Sequence, residues 1–274
     1  MNRVAVQPDA HFVNRYGPWG LVAGASQGLG AAYARELARR GLSVVLIARR
    51  SEPLQALGRE IEHDFGVAAR PVTVDLSSPD FLSVIERETR DLAVGLLVYN
   101  AAFSNGGLFL DRSPESLLKV IDTDCRAPLL LTRHFAGQMR ERHRGGIILM
   151  SSLTAFNGSP GLAAYGATKG FNLVLGEGLW YELRRAGIDL TVCCAGAVRT
   201  PGYEASVAAK SSFPPVLEPA KVAREAVRAL GRRMIVIPGS FNRAVSFLMR
   251  RLLPRRTTVR IMGEAVDSLS LSQR

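Results

Sequence analysis

The sequence has few cysteines, no long apolar run and no signal-like start, and each shortage excludes a class of protein. Three cysteines, Cys125, Cys193 and Cys194, are too few and too unevenly placed for a disulfide framework or a zinc site. This content suits a reducing compartment, so we expect a cytoplasmic protein without a bound metal. No run of about 18 apolar residues occurs, which predicts no membrane-spanning helix. Residues 1–10 also lack the apolar core of a signal peptide.

Acidic side chains are also scarce, which leaves the chain strongly basic although it has few lysines. Its formal net charge is +11, and this balance raises nucleic acid or an anionic membrane as partners. The basic residues are nearly all arginines, scattered apart from a run at 250–256, so we expect no nucleic-acid partner. A basic, amphipathic helix predicted at 241–253 leaves a peripheral membrane contact open. Packing of this helix on the protein or on a second subunit is the favoured interpretation.

Apolar residues make up 47% of the chain, enough for a substantial core. Short apolar runs alternate with helical periodicity, which predicts an α/β fold with a doubly wound, mostly parallel, seven-stranded Rossmann-type sheet and helices on both faces. The predicted strands span 19–23, 43–48, 70–76, 95–100, 146–151, 189–195 and 234–238. The predicted helices span 31–40, 53–65, 79–90, 113–142, 162–185, 218–230 and 241–253.

The domain organisation is expected to be simple, because the sequence has no repeats, low-complexity segments or interdomain linkers. Residues 1–274 would form one domain, from an irregular lead-in at 1–16 to a C-terminal helix and loose tail at 240–274. Ser78 and Ser113 are expected to cap helices. Pro128 predicts a kink or break in the long helix at 113–142.

A glycine-rich turn joins the first predicted strand to the next helix. It reads Gly24-Ala25-Ser26-Gln27-Gly28-Leu29-Gly30, a G-x-x-x-G-x-G spacing. Glycine lets a pyrophosphate approach the backbone N–H groups at a helix N-terminus, where the helix dipole favours negative charge. Such a turn alone can be just a tight connection. With a strand before it, a helix after it and a second strand at 43–48, it predicts a dinucleotide-binding unit.

Two arginines at the end of the second predicted strand indicate which cofactor binds. A carboxylate at this position would hydrogen-bond the ribose hydroxyls of NAD, whereas Arg49 and Arg50 suit the 2′-phosphate of NADP. The alternative is a pair of solvated arginines. We therefore expect NADP(H).

The predicted helix at 162–185 carries a candidate catalytic pair. Tyr165 and Lys169 are four residues apart, so they lie on one face of the helix. An ammonium held near a phenol favours the phenolate, which makes the tyrosine a usable general acid or base. Ser152 follows the fifth predicted strand and could donate a hydrogen bond to the same substrate oxygen. The pair alone is a weak signal, because a packed tyrosine beside a solvated lysine is common.

Together these motifs resemble the short-chain dehydrogenase/reductase family, over roughly residues 17–239. Within it the chain is most similar to the 3-ketoacyl reductase and 17β-hydroxysteroid dehydrogenase branch. Three segments carry that closer likeness: Tyr16-Gly17-Pro18-Trp19-Gly20, Val44-Val45-Leu46-Ile47-Ala48-Arg49-Arg50 and Val236-Ile237-Pro238-Gly239. The resemblance implies a catalytic role for Ser152, Tyr165 and Lys169 and an assembly of two or four copies.

The resemblance also implies further cofactor contacts and shows where the chain departs from the family pattern. The expected cofactor contacts are Gly24, Ser26, Gln27, Gly28, Leu29, Gly30, Asp75, Leu76, Asn100, Ala101, Tyr165, Lys169, Val198 and Thr200. Ala102 replaces the Gly of the family's Asn-Ala-Gly segment, and Ala195 replaces the Pro of its Pro-Gly-x-x-x-Thr segment.

A third departure concerns proton transfer. The family usually has an Asn in the helix after the fourth strand, where it supports a water chain from the catalytic Lys to solvent. Register with Thr132 and Met139 places Asp124 at this position. An ionised Asp accepts hydrogen bonds but cannot donate them, and its charge could keep Lys169 an ammonium. We expect a working relay with an altered pH profile; the alternative is that Asp124 only caps or kinks the helix and the enzyme is weakened.

The substrate is indicated only by composition. The loop at 197–217 and the segment 103–110 are expected to form the substrate walls. Apolar side chains there and nearby, at Phe103, Leu108, Phe109, Phe156, Leu162, Tyr203 and Phe213, suggest a bulky apolar ketone or alcohol of fatty acyl, polyketide or steroid type. The sequence therefore predicts an NADP(H)-dependent oxidoreductase. A nucleotide-binding regulatory or partner protein with weakened chemistry remains the alternative.

Overall fold

The protein is built on a central parallel sheet. The structure, a computed structural model, describes residues 8–104, 106–205 and 215–271, with side chains up to residue 264. Its strands are β1 (Trp19–Ala23), β2 (Ser43–Ala48), β3 (Ala69–Thr73), β4 (Val94–Tyr99), β5 (Gly145–Ser152), β6 (Ile188–Ala195) and β7 (Ile235–Val236). They lie in the order β3-β2-β1-β4-β5-β6-β7, and every neighbouring pair is parallel. The predicted Rossmann-type sheet is confirmed.

Helices cover both faces of this sheet. They are α1 (Ala10–Tyr16), α2 (Gly28–Arg39), α3 (Ser51–Phe65), α4 (Phe81–Thr89), α5 (Pro114–Ile121), α6 (Ala127–Glu141), α7 (Ala163–Arg184), α8 (Pro201–Glu204), α9 (Pro219–Ala229), α10 (Ser240–Arg251) and α11 (Arg255–Leu271). One core includes side chains of α1, α2, α3 and α9, and the other includes side chains of α4, α6 and α7. None of the helices in the described part of the chain is long and apolar enough to cross a membrane.

The central strands are buried on both faces, which explains their almost unbroken apolar sequences. Strand β4 is buried along its full length. Because successive side chains alternate, Leu96 and Val98 enter one core while Leu97 and Tyr99 enter the other.

Several predicted boundaries are corrected by local hydrogen bonds. Strand β3 ends at Thr73 and not at Leu76, because Asp75 starts a turn: its Oδ1 accepts from the N–H and the hydroxyl of Ser77 at 3.0 and 2.8 Å. Ser78 donates to the Asp75 carbonyl at 2.7 Å, so it belongs to the same turn and Asp80 precedes α4. Strand β7 is also shorter than predicted.

The long helix predicted at 113–142 is divided. Ser113 caps α5 as predicted, accepting from the Ser116 N–H at 3.3 Å. A π-helical segment, Asp122–Arg126, then separates α5 from α6. Pro128 is the second residue after this segment and has no N–H to donate to the carbonyl four residues earlier, that of Asp124. The predicted break is therefore a local change in the helical hydrogen-bond pattern.

The lead-in and the tail hold more helix than predicted. Residues 10–16 form α1, because Asp9 accepts from the Phe12 N–H at 3.0 Å and Phe12 and Tyr16 bury the same face. The tail expected to be loose after Gly263 continues α11 to Leu271. In the loop at 197–217, Val198 pairs with Leu217 and α8 begins at Pro201. Phe213 and the rest of 206–214 lie outside the described residues.

Candidate active site

A cleft of about 580 Å³ opens beyond the carboxyl ends of β1, β2 and β4. Ligands of open parallel sheets bind at this edge, and the volume is typical of a small-molecule site. The predicted cofactor contacts that line it are Gly24, Ser26, Gln27, Gly28, Leu29, Arg49, Arg50, Asp75, Leu76, Asn100, Ala101 and Thr200. Gly30 and Val198 are outside this lining, and so are the four predicted catalytic residues.

The glycine-rich turn forms the floor of the cleft. Gly24 has a φ of +82°, and a Cβ there would come within 2.7 Å of the Ala101 Cα. A Cβ on Gly30 would lie 1.9 Å from the Gly24 carbonyl oxygen, so α2 could not start this close to the turn with a larger residue. Asn100 Nδ2 donates to the same carbonyl at 3.1 Å. Gln27 precedes α2 without a side-chain cap, which leaves the first N–H groups of the helix to a ligand.

An arginine rim borders one side of the cleft. Arg49 and Arg50 are both exposed at its edge. Arg50 Nη2 donates to Gln27 Oε1 at 2.5 Å and to Ser26 Oγ at 3.4 Å, so it reaches over the glycine-rich turn. The rim thus offers two cations beside the helix N-terminus, where they suit a phosphate group.

Asp75 also lines the cleft, and it has a neighbour that the sequence did not indicate. Lys119 places its Nζ 3.7 Å from Asp75 Oδ2 and 5.5 Å from the centre of the Phe103 ring. Burial raises the pKa of Asp75, but the hydrogen bonds from Ser77 and the charge of Lys119 outweigh this, so the pKa is lowered. Lys119 is 44 residues from Asp75, and only the tertiary fold brings them together.

Tyr165 and Lys169 share one face of α7, as their spacing predicts. Lys169 Nζ lies 5.2 Å from the centre of the Tyr165 ring. Tyr165 is half-buried and lines a small cavity together with Phe109 and Leu162. Ser152 ends β5, and its Oγ accepts from the Thr154 N–H at 3.2 Å, which leaves the hydroxyl proton for donation.

Asp124 forms a buried ion pair with Lys169. Asp124 Oδ2 lies 3.3 Å from Lys169 Nζ, and the two side chains are 0% and 2% exposed. Burial raises the pKa of Asp124 even though Lys169 opposes this change. Burial lowers the pKa of Lys169, but the Asp124 carboxylate and Tyr165 more than offset it, so the pKa is raised. Lys169 is therefore an ammonium at neutral pH.

Three further groups hold Asp124, and sequence reasoning did not find them. The Phe103 N–H donates to Oδ1 at 2.7 Å. The Thr168 hydroxyl lies 3.4 Å from Oδ2 and has its shorter bond, 2.8 Å, to the Tyr165 carbonyl. Asn172 Nδ2 donates to the backbone carbonyl of Asp124 at 2.9 Å. Phe103 also lines the cleft, so Asp124 connects Lys169 to the cleft wall.

The predicted substrate walls are only partly brought together. Phe109 and Leu162 meet beside Tyr165, whereas Leu108 and much of Phe109 are exposed. Phe156 lies under the guanidinium of Arg250, which is 4.0 Å from its ring centre.

The two C-terminal helices, α10 and α11, pack against the loop that connects Ser152 to Tyr165. In addition to Arg250 of α10 above Phe156, α11 places Val259 and Gly263 beside Gly158 and Pro160. In the described residues, no three His, Cys, Asp or Glu side chains are placed to hold a metal ion.

Comparison with known proteins places this geometry among related enzymes. Residues 19–211 match the family described as short chain dehydrogenase. The chain is 30% identical over 264 residues to the 7beta-hydroxysteroid dehydrogenase of Clostridium sardiniense, covering 95% of this chain and 100% of that protein. It is 31% identical over 253 residues to the inactive hydroxysteroid dehydrogenase-like protein 1 of Homo sapiens, covering 89% and 75%. It also resembles a solved short-chain dehydrogenase from Sphingobium yanoikuyae in complex with NADPH, with a TM-score of 0.73, 32% identity and coverage of 81% and 87%.

Proposed function

The chain belongs to the short-chain dehydrogenase family of oxidoreductases, and on this basis we propose that it is an NADP(H)-dependent enzyme that interconverts a ketone and a secondary alcohol on an apolar substrate. The main support is one arrangement at the carboxyl edge of the sheet. A nucleotide-sized cleft with a glycine floor and an arginine rim lies there, connected through Phe103 and Asp124 to Lys169 and Tyr165.

The residues of the cleft fit NADP(H). The space above Gly24 and the open N–H groups of α2 suit a pyrophosphate. Arg49 and Arg50 would hold the 2′-phosphate, and Asp75 with Leu76 would flank the adenine. The NADPH complex of the related Sphingobium enzyme agrees with this assignment.

The proposed chemistry divides between the cofactor and the chain. When bound, the cofactor supplies or accepts the hydride. In reduction, Tyr165 gives a proton to the forming alkoxide, and Ser152 donates a hydrogen bond that orients and stabilises the same oxygen. Lys169 holds positive charge beside the Tyr165 ring, 5.2 Å from its centre.

Asp124 is proposed to support this proton transfer rather than to weaken it. Its carboxylate lies against Lys169 and keeps the ammonium charged in a buried place. An Asp124→Asn variant should change the pH–rate curve, because the neutral amide removes that charge. If neither the apparent pKa values nor the rates change, Asp124 has no part in the relay.

The substrate is proposed to be a bulky apolar ketone or alcohol, of fatty acyl, polyketide or steroid-like type. Phe109 and Leu162 beside Tyr165 give an apolar surface where such a molecule would meet the proton donor. The hydroxysteroid dehydrogenase from Clostridium sardiniense favours the steroid-like member of this group.

A direct assay tests the proposed function. The purified protein is mixed with NADPH and a panel of oxosteroids and 3-ketoacyl esters, and the loss of NADPH absorbance is followed. We expect turnover with at least one apolar ketone and a much lower rate with NADH. Binding of NADPH without turnover on any ketone would contradict the enzymatic proposal.

That contrary outcome would favour the second candidate, a nucleotide-binding regulatory or partner protein with weakened chemistry. Asp124 in place of the family's Asn motivates it, and so does the human relative, which is described as inactive. It predicts NADPH binding that Tyr165→Phe leaves unchanged, with no catalysis to lose.

We also propose a cytoplasmic homodimer or homotetramer, as the family resemblance implies. Leu118, Leu129 and Val174 are exposed on the helices α5 to α7 and would suit contact with a second copy. Light scattering after size-exclusion chromatography measures the assembly. A single-copy mass at micromolar concentration would contradict it.

The alternative of a peripheral membrane contact through 241–253 has support in α10. Phe247, Leu248 and Leu252 are exposed there, near Arg251. Co-sedimentation with anionic and neutral vesicles tests this contact, with Phe247→Ser combined with Leu252→Ser as the comparison variant. Equal, weak binding to both vesicles would leave α10 without a lipid role.

A further inference from the structure

The small cavity beside Tyr165 has one cation in its wall. Its volume is about 10 Å³, which is room for about one water-sized group. Among the described residues that line it, Arg112 is the one charged side chain, and the others include Phe109, Leu117 and Leu162. The cavity therefore combines a mostly apolar wall with a guanidinium group.

The backbone fixes where this guanidinium lies. Arg112 follows the short 3₁₀ helix Phe109–Asp111, and its N–H donates to the Phe109 carbonyl at 3.2 Å. Ser113, the next residue, caps α5. The guanidinium packs on Gly107, where a Cβ would come within 2.6 Å of Arg112 Cζ. Gly107 has a φ of +130°, which favours glycine, so the chain leaves this space open for the arginine.

The segment under Arg112 is bonded to the start of the helix that carries Tyr165. The Gly107 N–H donates to the Gly161 carbonyl at 2.8 Å, and Gly161 lies two residues before α7. Arg112 and Tyr165 thus line one cavity because two segments about 50 residues apart are hydrogen-bonded to each other.

The cavity lies next to the proposed position of the reacting oxygen and not on it. That oxygen would lie between Ser152 and Tyr165, and Ser152 is outside the cavity lining. Beyond Gly107 the chain exposes three apolar side chains in sequence, Leu108, Phe109 and Leu110. The apolar body of a substrate would contact this surface, while only a small substituent fits the cavity.

The chemistry of the guanidinium decides which substituent is accepted. A hydrocarbon group in the cavity would remove Arg112 from water without replacing the lost hydrogen bonds, which is costly. A guanidinium carries five N–H donors, so an oxygen acceptor can bind it in addition to any contact that Arg112 makes within the protein. A carboxylate can accept two of these N–H groups at once.

We propose that Arg112 is a substrate-binding residue that selects ketones and alcohols with a second oxygen acceptor, a carboxylate or a carbonyl, close to the reacting carbon. The proposal rests on the proposed function, because it assumes that the reaction takes place at Tyr165. It narrows the apolar substrate to one that carries two oxygen functions a few bonds apart.

Two matched pairs of ketones test this selection in the full chain with NADPH. The first pair is 4-oxodecanoate and 4-decanone, and the second is ethyl 3-oxodecanoate and 3-decanone. Within each pair the position of the ketone is the same and only the second oxygen function differs, a carboxylate in the first pair and an ester carbonyl in the second. The wild-type kcat/KM should be at least about tenfold higher for the oxygen-bearing member of at least one pair, as for a charge-assisted hydrogen bond.

Substitution of Arg112 shows whether this residue causes the preference. Arg112→Met removes the charge and keeps an apolar chain, so kcat/KM should fall about tenfold for the preferred ketone and stay within about threefold for its plain partner. The Kd of NADPH should stay within about twofold. Arg87→Met, which removes an exposed arginine of α4, is the control and should leave the preference unchanged. If Arg112→Met does not fold, the wild-type ratio within the carboxylate pair decides.

The outcomes separate this inference from the function on which it rests. A wild type that reduces no ketone contradicts the proposed function and this inference together. Turnover only on ketones with a single oxygen, or equal kcat/KM within both pairs, overturns the role of Arg112 and leaves the proposed function standing. An equal loss for both members of a pair in Arg112→Met would show that Arg112 supports the fold alone, which also overturns the inference.

Discussion

The two edges of the sheet use paired carboxylates in different ways. At the amino edge, Asp189 is the second residue of β6, and it accepts from Arg15 Nε at 3.0 Å and from the Tyr16 hydroxyl at 2.8 Å. At the carboxyl edge, Asp124 is fully buried and pairs with one ammonium, Lys169. Asp189 keeps 19% of its side chain exposed. The amino-edge group ties α1 to the sheet, whereas the carboxyl-edge group lies against the cleft.

The chemical environments differ accordingly. At the amino edge, burial and Asp189 raise the pKa of Tyr16, so this phenol stays protonated and structural. At the carboxyl edge, Tyr165 is half-buried, faces an ammonium and borders a cavity. The two tyrosines therefore differ in the accessibility of their hydroxyl groups. The hydroxyl of Tyr16 is bound to a carboxylate, while Tyr165 borders a cavity. We expect carboxyl-edge substitutions to affect activity and amino-edge substitutions to affect stability.

The largest expected effect is that of Tyr165→Phe. The change removes the proposed proton donor and no core contact, so kcat should fall about 10³-fold while NADPH affinity and Tm stay nearly unchanged. Steady-state kinetics with a thermal melt measure both. Tyr16→Phe is the matched control at the amino edge and should keep its kcat. If Tyr165→Phe and Tyr16→Phe lose the same activity, the two edges of the sheet do not differ in their role in catalysis.

Removal of the arginine rim should have the next largest effect. In Arg49→Ala combined with Arg50→Ala, the 2′-phosphate loses its cationic partners, so the preference for NADPH over NADH should fall about 100-fold. The ratio of kcat/KM with the two cofactors measures this preference. Arg39→Ala combined with Arg35→Ala removes two surface arginines of α2 and should leave the ratio unchanged. A preserved NADPH preference without the rim would place the 2′-phosphate elsewhere.

The amino edge is tested by Asp189→Ala. Arg15 and Tyr16 then lose the carboxylate that pairs them, and the free energy of unfolding should fall by about 2 kcal/mol. For a chain of this size the Tm should drop by roughly 4–8 °C, with kcat unchanged where the protein is folded. Denaturant unfolding and kinetics check the two halves of this prediction. A kcat loss with normal stability would show that this edge acts on catalysis.

The smallest expected effect concerns Glu36, whose side chain is 8% exposed and bonds Arg39 and Arg40 at 2.8–3.0 Å. Burial raises the pKa of Glu36, but the hydrogen bonds from Arg39 and Arg40 outweigh it and lower the pKa. A lowered folded-state pKa contributes stability above the unfolded value of about 4.5, and this is lost as pH falls through the folded pKa. Glu36→Gln should cost at most about 1 kcal/mol at neutral pH and should lose less stability on acidification.

Unfolding curves at neutral and acidic pH measure this difference. If Glu36→Gln and the wild type lose the same stability between the two conditions, the Glu36 cluster has no part in the acid response. In either case kcat should stay unchanged, since Glu36 lies away from the cleft.

Local patterns allowed much of this site to be predicted from the sequence. The turn from Gly24 to Gly30 and the spacing of Tyr165 and Lys169 are set within a few residues, so their geometry follows from strand and helix periods. The alternation of strands and helices likewise predicted the sheet. By contrast, the bond from Phe103 to Asp124, the placement of Lys119 beside Asp75 and the contact of Asn172 depend on tertiary folding. These three contacts cannot be predicted from the periodicity of the sequence.

The missed helices have a similar physical origin. Phe12 and Tyr16 make α1 stable by packing on the core, and a seven-residue helix would not persist alone. In α11, Thr258 is buried by its neighbours, although the segment is polar. Polar composition predicted an irregular lead-in at α1, and packing overrode it.

Helices α10 and α11 pack against the loop between Ser152 and Tyr165, so the proposed substrate site lies close to residues from 240 onward. Arg250 above Phe156 and Gly263 beside Pro160 connect these two helices to the loop that precedes Tyr165, between segments far apart in sequence. If this loop borders the substrate in the proposed enzyme, affinity tags, fusions or deletions placed after residue 240 should change the substrate preference. Variation in these two helices offers a way to retune selectivity without altering Ser152, Tyr165 or Lys169.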